Sequence, residues 1–289
     1  MHKACCTTDH VSRFFSPART PGLSGTADLA HVNVLLGSFP HDALDRLAPH
    51  LKLLEMPQNK VLHESGSPVE YVYFPVNSII SLLYMMENGD SVQTAMIGHE
   101  GMIGISNFMG STSPGYAVMQ SAGSVLRLRA SVLADEIERS PQIMRLLLHY
   151  TQTLFIQLAQ SLICRRHHSV ENQFCKWLLT ALDCSRGNEL FVTHQLVASM
   201  IGVRREGITE AAINLQRLGI IRYRRGHITF IDRAALENRV CECYGVVKRQ
   251  TASLLPLPGE HHAVFDTPAV QTKRAGMRNY GGGNEQRIY

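Results

Sequence analysis

At 289 residues the chain has room for two domains or one large one, and its 45% hydrophobic and 18% charged content is that of a folded globular protein. No apolar run approaches the ~18 residues that a membrane-spanning helix needs; the longest, residues 79–86, is interrupted by Ser81. The net charge of +4 is unevenly placed: residues 42–140 carry six Lys/Arg against eleven Asp/Glu, whereas residues 193–233 carry seven arginines against Glu206, Glu210 and Asp232. Positive charge gathered on one segment points to a polyanionic partner for that segment.

In chain order, residues 1–27 are rich in Ser, Thr, Pro and Gly without periodicity and read as a flexible leader. They lack the basic start, apolar core and small-residue cleavage site of a secretory signal, so a cytoplasmic location is expected. Helices are predicted over 28–37 and 41–48. The texture then changes to short strands at 61–63, 71–74, 79–84, 92–97, 116–120 and 125–129, parted by turn residues such as Asn88-Gly89, a hairpin signal. Evenly spaced short strands of this kind predict an antiparallel barrel or roll, placed at residues 28–140 together with a small helix at 131–139.

A long helix follows over 141–166, with Pro141 suited to its first turn. Leu147, Thr151, Leu154, Leu158 and Ser161 form a stripe at four-then-three spacing. At ~1.5 Å per residue this helix reaches roughly 37 Å, more than is needed to cap a small roll. The stripe is therefore read as a homodimer seam, the alternative being packing within one subunit. Another helix is expected over 169–182, opening at Ser169 and burying Phe174, Trp177, Leu178 and Leu182.

The most informative segment is 193–231. Thr193 is a helix cap, and Leu196, Val197, Met200 and Ile201 make one apolar face. Gly202 ends that helix by adopting a left-handed conformation. A second helix starts near Arg204, with Ile208, Ala211, Ala212 and Leu215 inward and Arg204, Arg205, Glu206, Thr209, Glu210 and Arg217 on its other faces. It ends at Gly219, and two strand-like runs, 220–225 and 227–231, meet at Gly226. Two helices about a glycine turn, then a basic hairpin, are the pattern of a winged helix-turn-helix, whose second helix enters a DNA major groove. The winged domain is placed at 167–250, and a disordered tail, carrying Lys273, Arg274, Arg278 and Arg287, at 251–289.

The seven cysteines, 5, 6, 164, 175, 184, 241 and 243, are an odd number unsuited to a complete disulfide framework. The paired C-x2-C and H-x3-5-H spacings of structural zinc sites are absent. The cysteines are read as free thiols, with metal binding or redox sensing through Cys5-Cys6 or Cys241-Glu242-Cys243 as the alternative. His167-His168 and His261-His262 are expected in solvent. No metal and no cofactor is predicted. There is no nucleophile elbow, phosphate-binding loop, H-E-x-x-H or paired-carboxylate motif, so the chain is not expected to be an enzyme.

Several stretches taken in series resemble one subgroup of the Crp/Fnr superfamily of bacterial transcription regulators. They are Val72-Tyr73-Phe74-Pro75, Ile79-Ile80-Ser81-Leu82, Ile97-Gly98-His99-Glu100-Gly101-Met102-Ile103-Gly104, His167-His168-Ser169-Val170-Glu171 with Trp177-Leu178-Leu179, Gly202-Val203-Arg204-Arg205 through Gly219-Ile220-Ile221, Arg225-Gly226-His227-Ile228-Thr229 and Cys241-Glu242-Cys243-Tyr244. The resemblance spans roughly residues 30–250. It implies an α+β chain with an N-terminal antiparallel, cyclic-nucleotide-binding-like β-roll, a long dimerisation helix and a C-terminal winged helix-turn-helix, acting as a homodimer on a two-fold symmetric DNA site. RNA polymerase is a further implied partner.

Within that resemblance Arg205 and Glu206 look like the base-contacting pair, since an arginine fork matches guanine O6 and N7 and a carboxylate accepts from cytosine N4. Arg204 is the alternative base donor or a phosphate ligand, Thr209 a thymine-methyl or phosphate contact, and Glu210 a third base reader. Thr193, His194, Arg217, Arg222, Arg224, Arg225 and His227 are assigned to phosphates. In relatives that bind cyclic AMP, a Gly-Glu stretch and an Arg-Ser pair hold the ribose and phosphate. The corresponding segment here, 104–116, has neither arginine nor acid, so cyclic AMP is not expected, although Gly104, Gly110, Ser111, Thr112 and Ser113 remain candidate pocket residues. Relatives that sense oxygen use a cysteine-rich N-terminus that Cys5-Cys6 does not reproduce, leaving the effector unknown. The rival reading is a ligand- or redox-sensing adaptor whose winged domain contacts a protein.

Overall fold

The computed structural model describes residues 32–255 apart from Ser111 and Arg186. The expected leader, the start of the first expected helix, Cys5-Cys6, His261-His262 and the basic residues of the tail lie outside the described residues.

Two short helices, α1 (Val34–Gly37) and α2 (His41–Leu47), lead into seven strands: β1 (Lys52–Met56), β2 (Val61–His63), β3 (Tyr71–Pro75), β4 (Ile80–Met85), β5 (Ser91–Ile97), β6 (Tyr116–Met119) and β7 (Gly123–Arg129). They form two antiparallel sheets, β1-β7-β3 and β2-β6-β4-β5. Because successive side chains in a strand point to opposite faces, the β3–β7 pair buries both sides. Tyr73 and Val125 face the second sheet with Ile80, Ile97, Ala117 and Met119. Val72, Phe74, Leu126 and Leu128 face a layer of helices. The roll predicted from turn spacing is present. Strand β1 was not anticipated: its sequence, KLLEM, is largely exposed and lacks a clean alternation.

The helical layer is tied down by a buried asparagine. Asn33 caps α1 by accepting from Leu36 N at 3.0 Å, while its Nδ2 donates to Pro75 O at 3.0 Å and Gly101 O at 2.9 Å. Helix α3 (Ala130–Arg139) adds an ion pair between its buried Glu136 and the partly exposed Arg46 on α2. That guanidinium holds the Glu136 carboxyl below the ordinary carboxylate range.

Helix α4 (Pro141–His167) is the spine, and it places its apolar residues differently from the stripe expected. Leu147 is buried in the core of its own roll, and Leu154 packs partly against both roll cores. Ser161 donates to Gln157 O and accepts from Lys176 Nζ. The exposed apolar residues are instead Met144, Leu148, Phe155, Leu158, Leu162 and Ile163, with Phe155 at 70% and Leu162 at 68% exposure. Met144, Leu148, Thr151, Phe155, Leu158 and Leu162 recur at alternating four and three residues, the repeat of a coiled-coil seam. Only Thr151 and Leu158 of the expected set belong to it. Alpha-helical periodicity fits two adjacent stripes on this helix, and contact with the roll selects the one that turns inward.

The segment Gly98–Gly104 is where roll, spine and C-terminal part meet. A Cβ on Gly98 would lie 2.4 Å from Cys184 O, and one on Gly101 would lie 2.6 Å from the Tyr150 ring. Tyr150 is itself buried and donates to Met102 O at 2.6 Å. Helix α5 (Val170–Cys184), capped by Ser169 as expected, completes the junction. Trp177 Nε1 donates to Gln93 Oε1 at 2.9 Å, and Gln93 in turn binds Ser81 and Gln120 inside the roll. Ile79 and Met96 of the roll belong to the same apolar core as Phe174, Leu178 and Ile208.

Beyond α5 come β8 (Glu189–Phe191), α6 (His194–Ile201), α7 (Arg205–Arg217), β9 (Ile221–Arg224), β10 (His227–Phe230), α8 (Arg233–Glu237) and α9 (Glu242–Leu254). Helix α9 packs along α4, and Leu255 after it is buried in the roll–helix core. The start of the expected disordered tail is therefore ordered through residue 255. Its polar, Gly- and Pro-rich signal begins only after the apolar residues that anchor it.

Gly101→Ala is expected to destabilise the protein by about 1–3 kcal/mol, because the buried Tyr150 ring, tethered by its hydroxyl to Met102 O, has little room to yield to the added methyl. Denaturant unfolding measures this; a loss below 0.5 kcal/mol would show that the ring can move.

Candidate nucleic-acid interface

Thr193 accepts from Leu196 N at 3.2 Å to cap α6, and Gly202 ends the helix at φ 79. Arg204 then has extended backbone at the N-cap of α7, whose inward face is Ile208, Ala211, Ala212 and Leu215. These are the residues that 3.6-residue periodicity selects. Arg204, Arg205, Glu206, Glu210 and Arg217 are exposed on the other side. Gly219, at φ 72, turns the chain into the wing.

The wing is a three-stranded sheet, β8-β10-β9, rather than the two-stranded hairpin expected. Glu189–Phe191 is too short and too exposed for its pattern to register in sequence. The hairpin turn is Arg225-Gly226, with φ of 51 and 80 and Arg224 paired to His227. Two positive φ values make it a type I′ turn, whose twist suits a two-residue hairpin. Gln216 Oε1 accepts from Tyr223 N at 2.8 Å and ties the wing to the end of α7.

Besides Thr193 and Arg217, three of the expected contact residues are engaged internally. His194 stacks on Tyr223, with ring centroids 4.1 Å apart, and its Nδ1 lies 3.1 Å from Thr209 Oγ1. The Thr209 hydroxyl also donates to Arg205 O. Together they lock α6, α7 and β9. Burial, aided by the nearby Arg205 charge, pushes His194 below the ordinary histidine range, favouring the neutral ring. His227 stacks on Phe191 at 4.5 Å and sets Nε2 3.1 Å from a Glu189 oxygen.

The described arginines differ in their partners: four pair with carboxylates, exposed ones without such a partner stand singly at Arg129, Arg145, Arg166 and Arg249, and five more are clustered. Arg46, Arg139, Arg233 and Arg239 each pair with a carboxylate. Among the described residues Arg204, Arg205, Arg222, Arg224 and Arg225 have no carboxylate partner and are exposed, the first two on the opening turn of α7 and the rest on the wing. Arg217 is held by Asn214 at 3.0 Å. Unpaired cations gathered at one helix N-terminus and one hairpin suit phosphates and base edges.

The candidate effector residues have a tighter setting. Gly104, at φ 101, and Gly110, at φ 70, bracket a 3-10 turn, Ile105–Met109. A Cβ on Gly104 would lie 2.9 Å from Val72, so its backbone is packed against the roll rather than facing open space. The Ser113 hydroxyl donates to Gly115 O at 2.7 Å. Thr112 is exposed, and Ser111 lies outside the described residues. A cavity opens elsewhere, between β5, α4 and α5, lined in part by Thr94, Gln157, Arg165, Lys176 and Trp177.

Comparison with known proteins agrees with this geometry. Residues 172–239 match the Crp-like helix-turn-helix domain. A global nitrogen regulator of Nostoc sp. is 22% identical over 214 residues, covering 71% of this chain and 93% of that protein. FixK2 from Bradyrhizobium japonicum superposes with a TM-score of 0.58 at 16% identity, covering 66% of this chain and 98% of its own. A Crp/Fnr-family transcriptional regulator from Eubacterium rectale gives a TM-score of 0.56 at 16% identity, covering 71% and 96%.

Gly202→Ala is expected to cost about 1–2 kcal/mol, the penalty of a left-handed non-glycine residue. The Cβ would meet nothing closer than Val92 at 3.9 Å, so the loss is conformational. Gly202→Asn is expected to recover part of it; equal unfolding midpoints for both variants would refute this.

The fold resembles that of Crp/Fnr regulators, and residues 172–239 match the Crp-like helix-turn-helix domain.

Proposed function

We propose that this chain is a cytoplasmic, sequence-specific transcription regulator that binds a palindromic DNA site as a homodimer. The observation that carries the reading is the set of exposed arginines without carboxylate partners on the first turn of α7 and on the wing. A carboxylate, Glu206, lies beside Arg205, a combination suited to reading a guanine and a neighbouring cytosine. Arg204 and Glu210 flank them, while Arg222, Arg224 and Arg225 are suited to phosphates. RNA polymerase is the partner that a regulator of this type would engage.

The exposed stripe of α4 supports the dimer. Six large apolar side chains left in water on one helix mark an interaction surface. A parallel pairing through Met144, Leu148, Phe155, Leu158 and Leu162 would relate two readers by a two-fold axis and direct them to half-sites ~34 Å apart. The absence of arginine and acid from residues 104–116, together with the packed setting of Gly104, supports an effector other than cyclic AMP.

Arg205→Ala is expected to lose about 1–3 kcal/mol of discrimination between specific and random DNA. Arg225→Asn, which keeps the left-handed turn while removing the charge, is expected to weaken both equally and to lower the salt slope by about 1. Binding titrations over a salt series test the pair. Identical losses on both DNAs for both variants would reject the division of roles, and no retention of double-stranded DNA at low salt would favour a protein-contacting adaptor.

Leu148→Asp and Phe155→Asp are expected to give folded monomers in analytical ultracentrifugation, whereas Leu147→Asp is expected to unfold the roll. A dimer surviving both exposed-face substitutions would place the interface elsewhere.

A further inference from the structure

Four potential metal ligands converge behind the reader. Cys164 lies on the last turn of α4, and His168 is the residue that closes the helix four positions later, so both project from one side of its end. Cys241 is the N-cap of α9, and Cys243 is in its first turn. The three sulfurs and one histidine nitrogen all lie within 4.8 Å of one another. Cys164 Sγ is 3.6 Å from Cys241 Sγ, and Cys243 Sγ is 3.6 Å from His168 Nδ1.

Those distances discriminate between chemistries. A disulfide requires sulfurs ~2.05 Å apart. Zinc–sulfur bonds of ~2.3 Å and zinc–nitrogen bonds of ~2.0–2.1 Å at tetrahedral angles give edges of roughly 3.8 Å for S···S and roughly 3.5 Å for S···N. The Cys164–Cys241 and Cys243–His168 edges, each 3.6 Å, fall close to the tetrahedral values. Cys164, Cys241 and Cys243 are buried, and the His168 side chain is only 18% exposed rather than solvated as its sequence context suggested.

The surroundings complete the arrangement. His168 Nε2 lies 3.3 Å from a Glu242 carboxylate oxygen, which favours a proton on Nε2 and leaves the Nδ1 lone pair toward the sulfurs. The backbone of His168 is fixed by its N–H donating to Cys164 O at 3.0 Å and its carbonyl accepting from Gln173 at 2.9 Å. Three thiolates, one neutral imidazole and a dication leave one net negative charge. The Lys176 ammonium, bonded to Ser161 Oγ at 3.3 Å, is a nearby positive charge that interacts electrostatically with the three cysteines.

We propose that Cys164, His168, Cys241 and Cys243 bind one Zn²⁺ ion per chain in a closed, tetrahedral structural site. Binding converts three thiols to thiolates and releases three protons, with no change of oxidation state. Four protein ligands leave no open position for a substrate. The ion would fasten residues 164–168, before the reader, to residues 241–243, behind it, and so clamp the winged domain at both ends. Read along the chain, the ligands are Cys-x3-His and Cys-x-Cys separated by more than seventy residues, a spacing outside the familiar zinc patterns.

The test is the metal content of the full chain purified under reducing conditions. One zinc per chain is expected by plasma mass spectrometry, with Co²⁺ replacement giving the visible bands of tetrahedral thiolate coordination. The double variant Cys241→Ser/Cys243→Ser should lose the zinc, and Cys175→Ala, a buried thiol outside the four ligands, should keep it. If the double variant fails to fold, Glu242→Gln retains every ligand and should weaken zinc about 10–100-fold in chelator competition. A folded wild-type chain that takes up no stoichiometric zinc, an iron chromophore or a Cys164–Cys241 disulfide in its place, or full zinc affinity in Glu242→Gln would overturn the proposal.

Discussion

Backbone at Gly98 and Gly101 approaches its neighbours more closely than any other residue type permits, and the mutual placement of roll, spine and reader depends on it. Gly98 lies against the main chain of Cys184 at the end of α5, and Gly101 lies under the Tyr150 ring on α4. Each contact joins the roll to a different helix. Asn33 on α1 donates to Gly101 O from the other side, and Val34 N donates to His99 O. One short loop thus receives hydrogen bonds or close packing from three helices. Interiors at native density transmit displacements instead of absorbing them, so movement of this loop would be felt in the spine and in the reader together.

The spine shows how one helix meets several requirements. Ile143, Leu147 and Tyr150 are buried against the roll, while α9 covers another side. The face left open carries Met144, Leu148, Phe155, Leu158 and Leu162. A helix apolar on nearly every side has little amphipathic contrast, so hydrophobic pattern alone cannot orient it. The cost of leaving those residues in water is the physical argument for a second copy.

The reader owes its rigidity to aromatic and polar locks. His194, Thr209 and Tyr223 join three elements in one cluster, and Gln216 bonds the wing to α7. With these residues engaged internally, the arginines beside them project from a fixed frame. Side chains that match a rigid partner lose less conformational freedom on binding when the frame is already set. Lock and exposed arginine are neighbours: Thr209 lies one turn beyond Arg205 on α7, and His194 reaches it from the start of α6.

Sequence by itself determined the elements whose signals are local. The turn-separated strands of the roll, the caps at Ser169 and Thr193, the glycine terminations at Gly202 and Gly219 and the inward face of α7 all follow from backbone sterics and periodicity. So does the concentration of arginine on residues 193–233. Tertiary structure decided what depends on neighbours distant in the chain. It chose which stripe of α4 turns inward, added the short strands β1 and β8 that exist only through pairing, and turned His194, Thr209 and His227 toward ring and hydrogen-bond partners. It also brought Cys164 and His168 to Cys241 and Cys243 across more than seventy residues. Periodicity and capping are written in adjacent residues, whereas burial and proximity are properties of a surface that exists only once the chain has folded.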